Sequence, residues 1–418
     1  MYSNENEIFN DIDADLNHFN ELYPDLNDID KNSNYYNSVA FNNLNINNND
    51  LKIFHHNIRS LHKNFDQLSA FLSTLSTKFD ILCFTESWLH NSNEKLIHFE
   101  NYRSFHSLRS EGVRGGGISI FMSHRIKDVS KIVTLSQSND VIESLFLQFN
   151  IKSKRFFIGN VYKPNKTNYN IFTDKLVQMI SSLNLKSKDE CIISGDFNID
   201  ILKCSINDDS LNFLNSMNSL CFVPLITKPT RISDTSATLI DNIFTNNPTD
   251  FISGNIITPI SDHYPNFIVR HGIFCNNSNI PMKQIKFRLI TDETTEKFRN
   301  EIDSHDFSEI YDCNNVSKAL DKLTNTINYY YNLCCPIRHK NVSYKTIIKP
   351  WITPEILSNI KKRQNYLILF RQNKIHKNVF YNFRNFVTNQ IRASKRDYFK
   401  RKFDQFKNDS KNTWKIIN

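Results

Sequence analysis

The stretch Cys191-Ile192-Ile193-Ser194-Gly195-Asp196-Phe197-Asn198 decides the fold, because an apolar run ends there in a carboxylate and a carboxamide. Three more polar clusters occur along the chain: His55-His56-Asn57-Ile58-Arg59, Phe84-Thr85-Glu86-Ser87-Trp88 and Ser261-Asp262-His263. Apolar runs at 51–54 and 81–84 precede the first two of these. Strands that end in such side chains place them at the rim of a sheet, where open α/β sheets bind ligands. Amide, carboxylate and imidazole groups at one rim can hold a hard divalent cation and activate water.

Strand-like and helix-like segments alternate between residues 51 and 272. Apolar residues recur every three or four positions over 61–75, 171–183 and 211–220, which predicts helices. Short apolar runs at 118–122, 145–149, 156–161, 240–244 and 267–269 predict further strands. The alternation predicts an α/β domain with mixed strands.

Charge divides the chain into regions. Residues 1–50 contain fifteen asparagines, ten acids and one lysine, which predicts a disordered acidic tail. Residues 273–349 are polar and are predicted to form a partly helical linker. A break at Lys349-Pro350-Trp351-Ile352-Thr353-Pro354 begins a basic helical region, 350–418, with Thr353 as the helix cap. Residues 338–418 carry twenty Lys and Arg against four acids. This excess favours a polyanion partner, although a solvated basic helix face explains it equally well.

Aromatic residues interleave with these basic residues. They are Tyr366, Phe370, Phe380, Tyr381, Phe383, Phe386, Tyr398 and Phe399. Such side chains can stack on single-stranded bases. At helical spacing they are more often packed in a core, so both interpretations stay open.

The cysteines, the lengths of the apolar runs and two basic triplets indicate where in the cell the protein is expected to act. The eight cysteines form no C-x-x-C pair, which favours a reducing, intracellular setting over a disulfide framework. No apolar run approaches the ~18–20 residues that span a bilayer, so we expect no membrane partner. The basic triplets Lys361-Lys362-Arg363 and Lys400-Arg401-Lys402 are weak nuclear import signals.

The order of the polar clusters and the residues within them resemble those of the endonuclease/exonuclease/phosphatase superfamily over roughly residues 51–272. Within it, they are similar to the apurinic-type endonuclease of LINE-type (non-LTR) retrotransposons. The region up to about residue 418 resembles the linker that precedes the reverse transcriptase in those polyproteins. The resemblance implies a four-layered α/β sandwich: two mixed sheets packed face to face with helices outside, followed by the mostly helical basic extension.

The resemblance also implies roles for individual residues. Metal ligands would be Glu86, Asp262 and, in support, Asn57. Catalytic residues would be Asp196, Asn198, His263, Asp241 and Tyr162. Asp196 would orient or deprotonate the attacking water, and Asn198 would bond the phosphate or that aspartate. His263 would contact the scissile phosphate, oriented by Asp241 as in other Asp–His pairs. Gly195 would allow a tight turn after the strand.

Three arginines are predicted to contact DNA: Arg59, Arg114 beside the triple glycine, and Arg231. Arg59 departs from the pattern of the repair enzymes, which have an acidic residue at this position. Retrotransposon members often lack that acid, so the departure favours the transposon branch. It also leaves the number of metal ions open.

The resemblance implies a Mg²⁺-dependent endonuclease (Mn²⁺ is possible) that acts on double-stranded DNA in the nucleus and leaves a 3′-hydroxyl for target-primed reverse transcription. Element RNA is a further expected partner of the basic helices. One alternative is another phosphoesterase of the superfamily, acting on inositol phosphates, sphingomyelin or RNA tails. The other is a decayed nuclease that serves as a nucleic-acid-binding module. No Tyr/Phe-x-Asp-Asp polymerase motif occurs, so we expect a truncated element.

Overall fold

The computed structural model describes residues 33–109, 115–233, 236–274, 283–288, 290–342, 349–407 and 413. The strands are β1 Ser33–Tyr36, β2 Leu51–Asn57, β3 Ile81–Thr85, β4 Tyr102–Ser107, β5 Ile118–Ser123, β6 Ser130–Lys131, β7 Gln137–Ser138, β8 Glu143–Ile151, β9 Lys154–Tyr162, β10 Glu190–Asp196, β11 Val223–Pro224, β12 Arg231–Ile232, β13 Ala237–Thr238, β14 Asp241–Thr245, β15 Phe251–Ile256, β16 Asn266–Arg270, β17 Lys283–Arg288 and β18 Ile337–Val342. The helices are α1 Ser38–Asn42, α2 Leu61–Leu72, α3 Tyr169–Ser182, α4 Asp208–Ser219, α5 Asp292–Asp303, α6 Ser308–Tyr311, α7 Val316–Cys334, α8 Pro354–Arg371 and α9 Lys377–Gln405.

Two mixed sheets form the centre of the protein. The first has the strand order β1-β15-β16-β2-β3-β5-β4, and the second has the order β11-β14-β10-β9-β8-β6, with β7 also paired to β8. The pairs β2/β3 and β9/β10 are parallel, so their carboxyl ends lie side by side. The four-layered α/β prediction is confirmed.

Side chains of alternate residues face opposite layers, as the pleat of a strand requires. Ile53, Cys83 and Ile120 of the first sheet lie in the core shared with the second sheet. Their neighbours Phe54 and Phe121 face the other way, into a second core that packs under α2. Strands buried on both faces explain why the sequence shows continuous apolar runs there.

The prediction of a disordered tail over 1–50 is wrong for residues 33–50, and residues 1–32 lie outside the described part. Strand β1 pairs in parallel with β15, and the Ser33 hydroxyl accepts a hydrogen bond from the Thr227 amide at 3.1 Å. Phe41 is fully buried in the core under α2. The few apolar side chains are clustered locally, which an average composition over fifty residues conceals.

The chain divides into two compact units. The larger comprises residues 1–278 and 348–418, and the smaller comprises residues 279–347. Residues 350–418 therefore belong to the same unit as the two sheets. The predicted helix start is confirmed, because the Thr353 hydroxyl accepts from the Ile356 amide at 3.2 Å with Pro354 in the first turn.

The described part of the smaller unit contains helices α5, α6 and α7 and a hairpin of β17 and β18, which the sequence did not predict. Helices α5 and α7 pack together, with the rings of Phe298 and Tyr331 in edge contact. Across the described residues, none of the helices has the length and hydropathy needed to cross a bilayer.

Gly195 lies inside β10 rather than in a turn after it, which corrects the sequence interpretation. A Cβ on Gly195 would lie 2.1 Å from the Val161 carbonyl oxygen of the parallel neighbour β9. We expect Gly195→Ala to lower the free energy of unfolding by roughly 3 kcal/mol, since backbone in a sheet centre moves little. Gly272→Ala is the control: its φ is +67° but nothing lies within 4 Å, so we expect about 1 kcal/mol. Urea unfolding of both variants measures this, and equal losses would contradict the steric argument.

Candidate active site

Strand register brings the predicted side chains to one rim. Asp196, the last residue of β10, lies opposite Tyr162 on one neighbouring strand and opposite Asp241 on the other. Asn57, at the end of β2, lies opposite Thr85, which directly precedes Glu86. The motifs are far apart in sequence, and the sheets alone determine that they meet.

Asn57 connects the two acidic residues of the rim. Its Nδ2 donates to Asp196 Oδ2 at 2.7 Å and to Glu86 Oε1 at 3.1 Å. The Tyr162 hydroxyl also donates to Glu86 Oε1, at 3.3 Å, and the backbone N–H of Asn198 donates to Asp196 Oδ1 at 3.0 Å. These donors stabilise both carboxylates and fix their orientation.

His263 and Asp241 form a buried pair beside this network. His263 Nδ1 lies 2.8 Å from Asp241 Oδ2, and both side chains are almost fully excluded from solvent. The predicted orientation of the imidazole by Asp241 matches this contact. One ligand atom each of Asp196, Asp241 and His263 falls within 4.8 Å of the others. The hydrogen bond fixes the imidazole and leaves its Nε2 for chemistry.

Burial and charge act in opposite directions on these pKa values. Burial raises the pKa of Asp196, and the Asp241 carboxylate raises it further, to about 7. Burial alone would lower the pKa of His263, but the charge and hydrogen bond of Asp241 outweigh it and raise that pKa to about 9. Burial alone would raise the pKa of Asp241, but the charge and hydrogen bond of His263 outweigh it and hold that pKa below its usual value. The imidazole is therefore protonated at neutral pH.

Asp262 makes different contacts from those predicted for a metal ligand. Its Oδ1 lies 3.0 Å from Arg59 Nε and its Oδ2 lies 3.1 Å from Arg231 Nε. The side chains of Arg59, Asp262 and Arg231 are 40%, 38% and 44% exposed. Both carboxylate oxygens are thus engaged by arginines, which form a polar cluster at the rim. Arg114, the third predicted DNA contact, lies outside the described residues.

The loops that carry the site have strained backbone. Arg59, Glu86, Trp88 and Asn198 have φ values of 44°, 48°, 53° and 46°. Such left-handed conformations are costly for residues other than glycine and cluster where surrounding structure holds a functional geometry. Each of these residues lies within three positions of the end of β2, β3 or β10.

Four supporting residues were missed by the sequence interpretation. His56 Nε2 lies 3.0 Å from the carbonyl oxygen of His263, and burial lowers the pKa of His56 to about 3, so it is neutral. The Thr230 hydroxyl donates to Asp241 Oδ2 at 2.6 Å, and Trp88 Nε1 donates to Glu86 Oε2 at 3.2 Å. His56 and Trp88 belong to quoted motifs, and Thr230 directly precedes the predicted DNA contact Arg231. Glu143 is buried against Arg109 and the Gly117 amide, and only the three-dimensional pairing reveals it.

The chemistry of the rim fits a hard divalent cation. Asn57 Oδ1 is buried and has no hydrogen-bond partner, and it belongs to the side chain that joins Glu86 to Asp196. Within the described part of the chain, no salt bridge reaches Glu86 or Asp196. Uncompensated carboxylate and amide oxygens are the ligands that Mg²⁺ and Mn²⁺ prefer. Glu86 and Asn57 would hold the ion.

The Asp241–His263 pair predicts a pH dependence of stability. The pKa of His263 is about 9 in the folded protein and ordinarily 6.5. Its contribution to the free energy of unfolding is therefore complete below pH 6.5 and is lost as the pH rises through 9. Asp241→Asn removes the charge that raises this pKa. We expect the urea midpoint of the native protein to fall between about pH 7 and 9.5, and that of the variant to change much less. Parallel pH profiles would show that the pair is not ionised as described.

Fold and site together define the class of protein: a two-sheet α/β sandwich whose rim carries acid, amide and imidazole groups suited to metal-assisted hydrolysis. Residues 43–263 match the Endonuclease/Exonuclease/phosphatase family. The chain belongs to this family, whose members are nucleases and other phosphoesterases that use divalent metals. Among curated proteins, none matches the chain.

Several solved structures are similar to this chain. The endonuclease domain of TRAS1, a telomere-specific non-LTR retrotransposon, is 12% identical with a TM-score of 0.42, covering 53% of this chain and 98% of that one. The AP endonuclease LMAP from Leishmania major is 15% identical with a TM-score of 0.44, covering 53% and 88%. An AP endonuclease from Archaeoglobus fulgidus is 17% identical with a TM-score of 0.40, covering 53% and 99%.

Proposed function

We propose that this protein is a Mg²⁺-dependent DNA endonuclease of a non-LTR retrotransposon, with Mn²⁺ as an alternative cofactor. It hydrolyses one backbone phosphodiester and leaves a 3′-hydroxyl nick. One observation carries the proposal: Asn57 joins Glu86 to Asp196 while His263 pairs with Asp241 at the same rim. An oxygen-rich cation site and an imidazolium beside an aspartate of raised pKa are the groups that this hydrolysis requires.

The residues act on the phosphate from two sides. Asp196 accepts the proton of the attacking water, since its pKa lies close to neutrality. His263, protonated through Asp241, donates a hydrogen bond from Nε2 to the phosphate and stabilises the negative charge that develops there. Burial and the Glu86 charge raise the pKa of Tyr162, so its hydroxyl stays a neutral donor. A bound cation would supply further stabilisation of charge on the phosphate and leaving oxygen.

Arg59 and Arg231 are proposed to bind the DNA backbone beside the scissile bond. Their charges are directed at Asp262 in the free protein, yet both side chains remain partly exposed. The planar guanidinium group of arginine can donate two parallel hydrogen bonds to two oxygens of a phosphate. Asp262 then serves to orient the arginines, in place of the metal-ligand role predicted from the resemblance.

The substrate is tested by comparing products. We expect the full-length chain with Mg²⁺ to nick supercoiled DNA and to leave ends that a DNA polymerase extends without prior phosphatase treatment. Inositol phosphate, sphingomyelin and polyadenylate RNA are offered in parallel. Faster hydrolysis of any of these than of DNA would favour the alternative phosphoesterase function and overturn the endonuclease assignment.

The retrotransposon context rests on the Lys-Pro-Trp-Ile-Thr segment, Arg59 and the basic helices, and it includes nuclear action and binding of element RNA. Several interleaved aromatics pack against one another, such as Phe370 on Phe380 and Tyr366 on Phe383, which supports a core role over base stacking. Arg363 is fully buried, so the triplet at 361–363 does not present all its charges. Lys400 and Arg401 are exposed, which makes the second triplet the better import signal.

The exposed basic face of α9 predicts a salt-dependent affinity for nucleic acid. Arg392, Arg396 and Lys400 are exposed and four residues apart, so they share one helix face. Replacing all three with glutamine should reduce the slope of log affinity against log salt by up to about 3. The matched control replaces the exposed Lys127, Lys186 and Lys188, which removes the same charge elsewhere. Equal loss in both variants would mean that net charge, and not this face, determines binding to RNA or DNA.

A further inference from the structure

Helices α8 and α9, here called the C-terminal hairpin, pack on two places of the nuclease fold. One apolar cluster joins Ile356, Ile360, Val387 and Ile391 of the hairpin to Ala70 of α2. A second joins Leu367 and Phe380 to Ile232, Ile257 and Tyr264. The second cluster matters for catalysis because residues 257–264, here called the catalytic loop, contain His263. The hairpin therefore contacts the segment that immediately surrounds the imidazole.

Gln364 of α8 makes a buried polar contact with the start of this loop. Its Nε2 donates to the Ile257 carbonyl oxygen at 2.9 Å, and its Oε1 accepts from the Ser38 hydroxyl of α1. The side chain is only 2% exposed. A buried amide with both ends bonded has one favourable position, so it holds α1 and the catalytic loop at a fixed separation.

Arg371, at the end of α8, reaches the other side of the loop. Its Nη2 donates to the Ile232 carbonyl oxygen at 2.8 Å, and its charge interacts with the Tyr264 side chain. Ile232 follows Arg231, which forms a β-bridge with His263. The Tyr264 amide in turn donates to the Thr230 carbonyl oxygen at 2.7 Å. Arg371 thus fixes the strip of backbone on which His263 and Arg231 lie side by side.

We propose that Gln364, Leu367 and Arg371 are positioning residues for His263, so that the C-terminal hairpin completes the active site of the nuclease. On this proposal, residues 350–405 are a structural part of the enzyme, in addition to any role as a linker. The inference rests on the proposed function for its kinetic consequences. Small displacements of a catalytic group are costly, because a shift near 1 Å can lower the rate by about 10²-fold.

The test compares variants of the full-length chain. Gln364→Met keeps the length and helix propensity of the side chain, and Arg371→Met keeps the helix propensity and part of the aliphatic chain; both remove the hydrogen-bond donors. We expect kcat for plasmid nicking to fall about 10- to 100-fold in each, with KM changed less than about threefold. Arg371→Lys retains a donor and should recover part of the loss.

The matched control is Lys395→Met in α9. Lys395 Nζ lies 2.7 Å from Asp66 of α2, so it attaches the same hairpin but does not touch the catalytic loop. We expect this variant to keep the native kcat. If Lys395→Met loses as much kcat as Arg371→Met at the same thermal stability, or if the two donor variants keep full kcat, the positioning role is overturned.

A second measurement does not depend on nicking. The amides of Ile257 and Tyr264 donate to the carbonyl oxygens of Tyr36 and Thr230, so they should exchange slowly with deuterium. In Gln364→Met and Arg371→Met, we expect their exchange to accelerate at least about tenfold, with amides of β10 unchanged. Unchanged exchange contradicts the proposal. If exchange accelerates in the two variants but the native protein does not nick DNA, the positioning role stands and only the proposed function is overturned.

Discussion

Replacing His263 by glutamine should lower the rate of DNA nicking by about 10³-fold, because glutamine cannot supply the imidazolium that faces the phosphate. The structure gives the reason for the size of this effect. His263 is held at Nδ1 by Asp241 and at its backbone carbonyl by His56, so one orientation of Nε2 is strongly favoured. The loss should appear in kcat more than in KM, since the interaction strengthens as charge develops on the phosphate.

The control for His263→Gln addresses the buried charge it leaves behind. Among the described residues, Asp241 would keep the Thr230 hydroxyl as its one side-chain donor, so reduced stability would account for part of the loss. The double variant with Asp241→Asn removes that charge. We expect it to be no more than about tenfold slower than His263→Gln alone, because the two residues act as one unit. Multiplicative losses would mean that Asp241 acts independently of the imidazole.

Glu86→Gln should raise the Mg²⁺ concentration needed for half-maximal nicking by about 10- to 100-fold. Three donors already point at the Glu86 carboxylate, from Asn57, Trp88 and Tyr162. A glutamine would place its own amide hydrogens against at least one of them and remove the negative charge that a cation needs. Titration of nicking with Mg²⁺, supported by Mn²⁺ binding followed by electron paramagnetic resonance, measures the change.

Glu143→Gln is the matched control for this acid. Glu143 is also buried near the rim, but Arg109 and the Gly117 amide already compensate its charge. We expect a loss of stability with the Mg²⁺ requirement unchanged. If Glu143→Gln shifts the requirement as much as Glu86→Gln, the cation is held differently from the arrangement described above.

The apolar runs of the sequence predicted an α/β domain and a rim at which polar side chains converge, for a physical reason, whereas the four layers were implied by the family resemblance. Asn57 and Thr85 end parallel neighbours in the first sheet, and Tyr162 and Asp196 end parallel neighbours in the second. The packing of the two sheets then brings Asn57 to Asp196. The prediction of the Thr353 cap succeeded because capping depends on residues within one turn. Features that depend on residues close together in sequence can therefore be predicted from a single sequence.

Features set by distant contacts could not be predicted in the same way. Three such features depend on segments that are far apart in sequence. They are the close approach of Gly195 to Val161, the burial of Glu143, and the hydrogen bond from Gln364 to the Ile257 carbonyl oxygen. Residues 33–50 were misjudged because a short buried strand and helix lie within an asparagine-rich composition. The contacts of Asp262 with Arg59 and Arg231 were likewise not predicted from the sequence.

The most direct test of the central claim is nicking of supercoiled plasmid by the full-length chain, with Mg²⁺, with EDTA, and with Asp196→Asn in place of the native protein. We predict open circles only for the native protein with Mg²⁺, and recovery of nicking when Mg²⁺ is restored after EDTA. Nicking that persists in EDTA, or that Asp196→Asn retains at the native rate, would contradict a metal-assisted hydrolysis that depends on this aspartate. A folded native protein that leaves the plasmid intact with Mg²⁺ would contradict the endonuclease function itself.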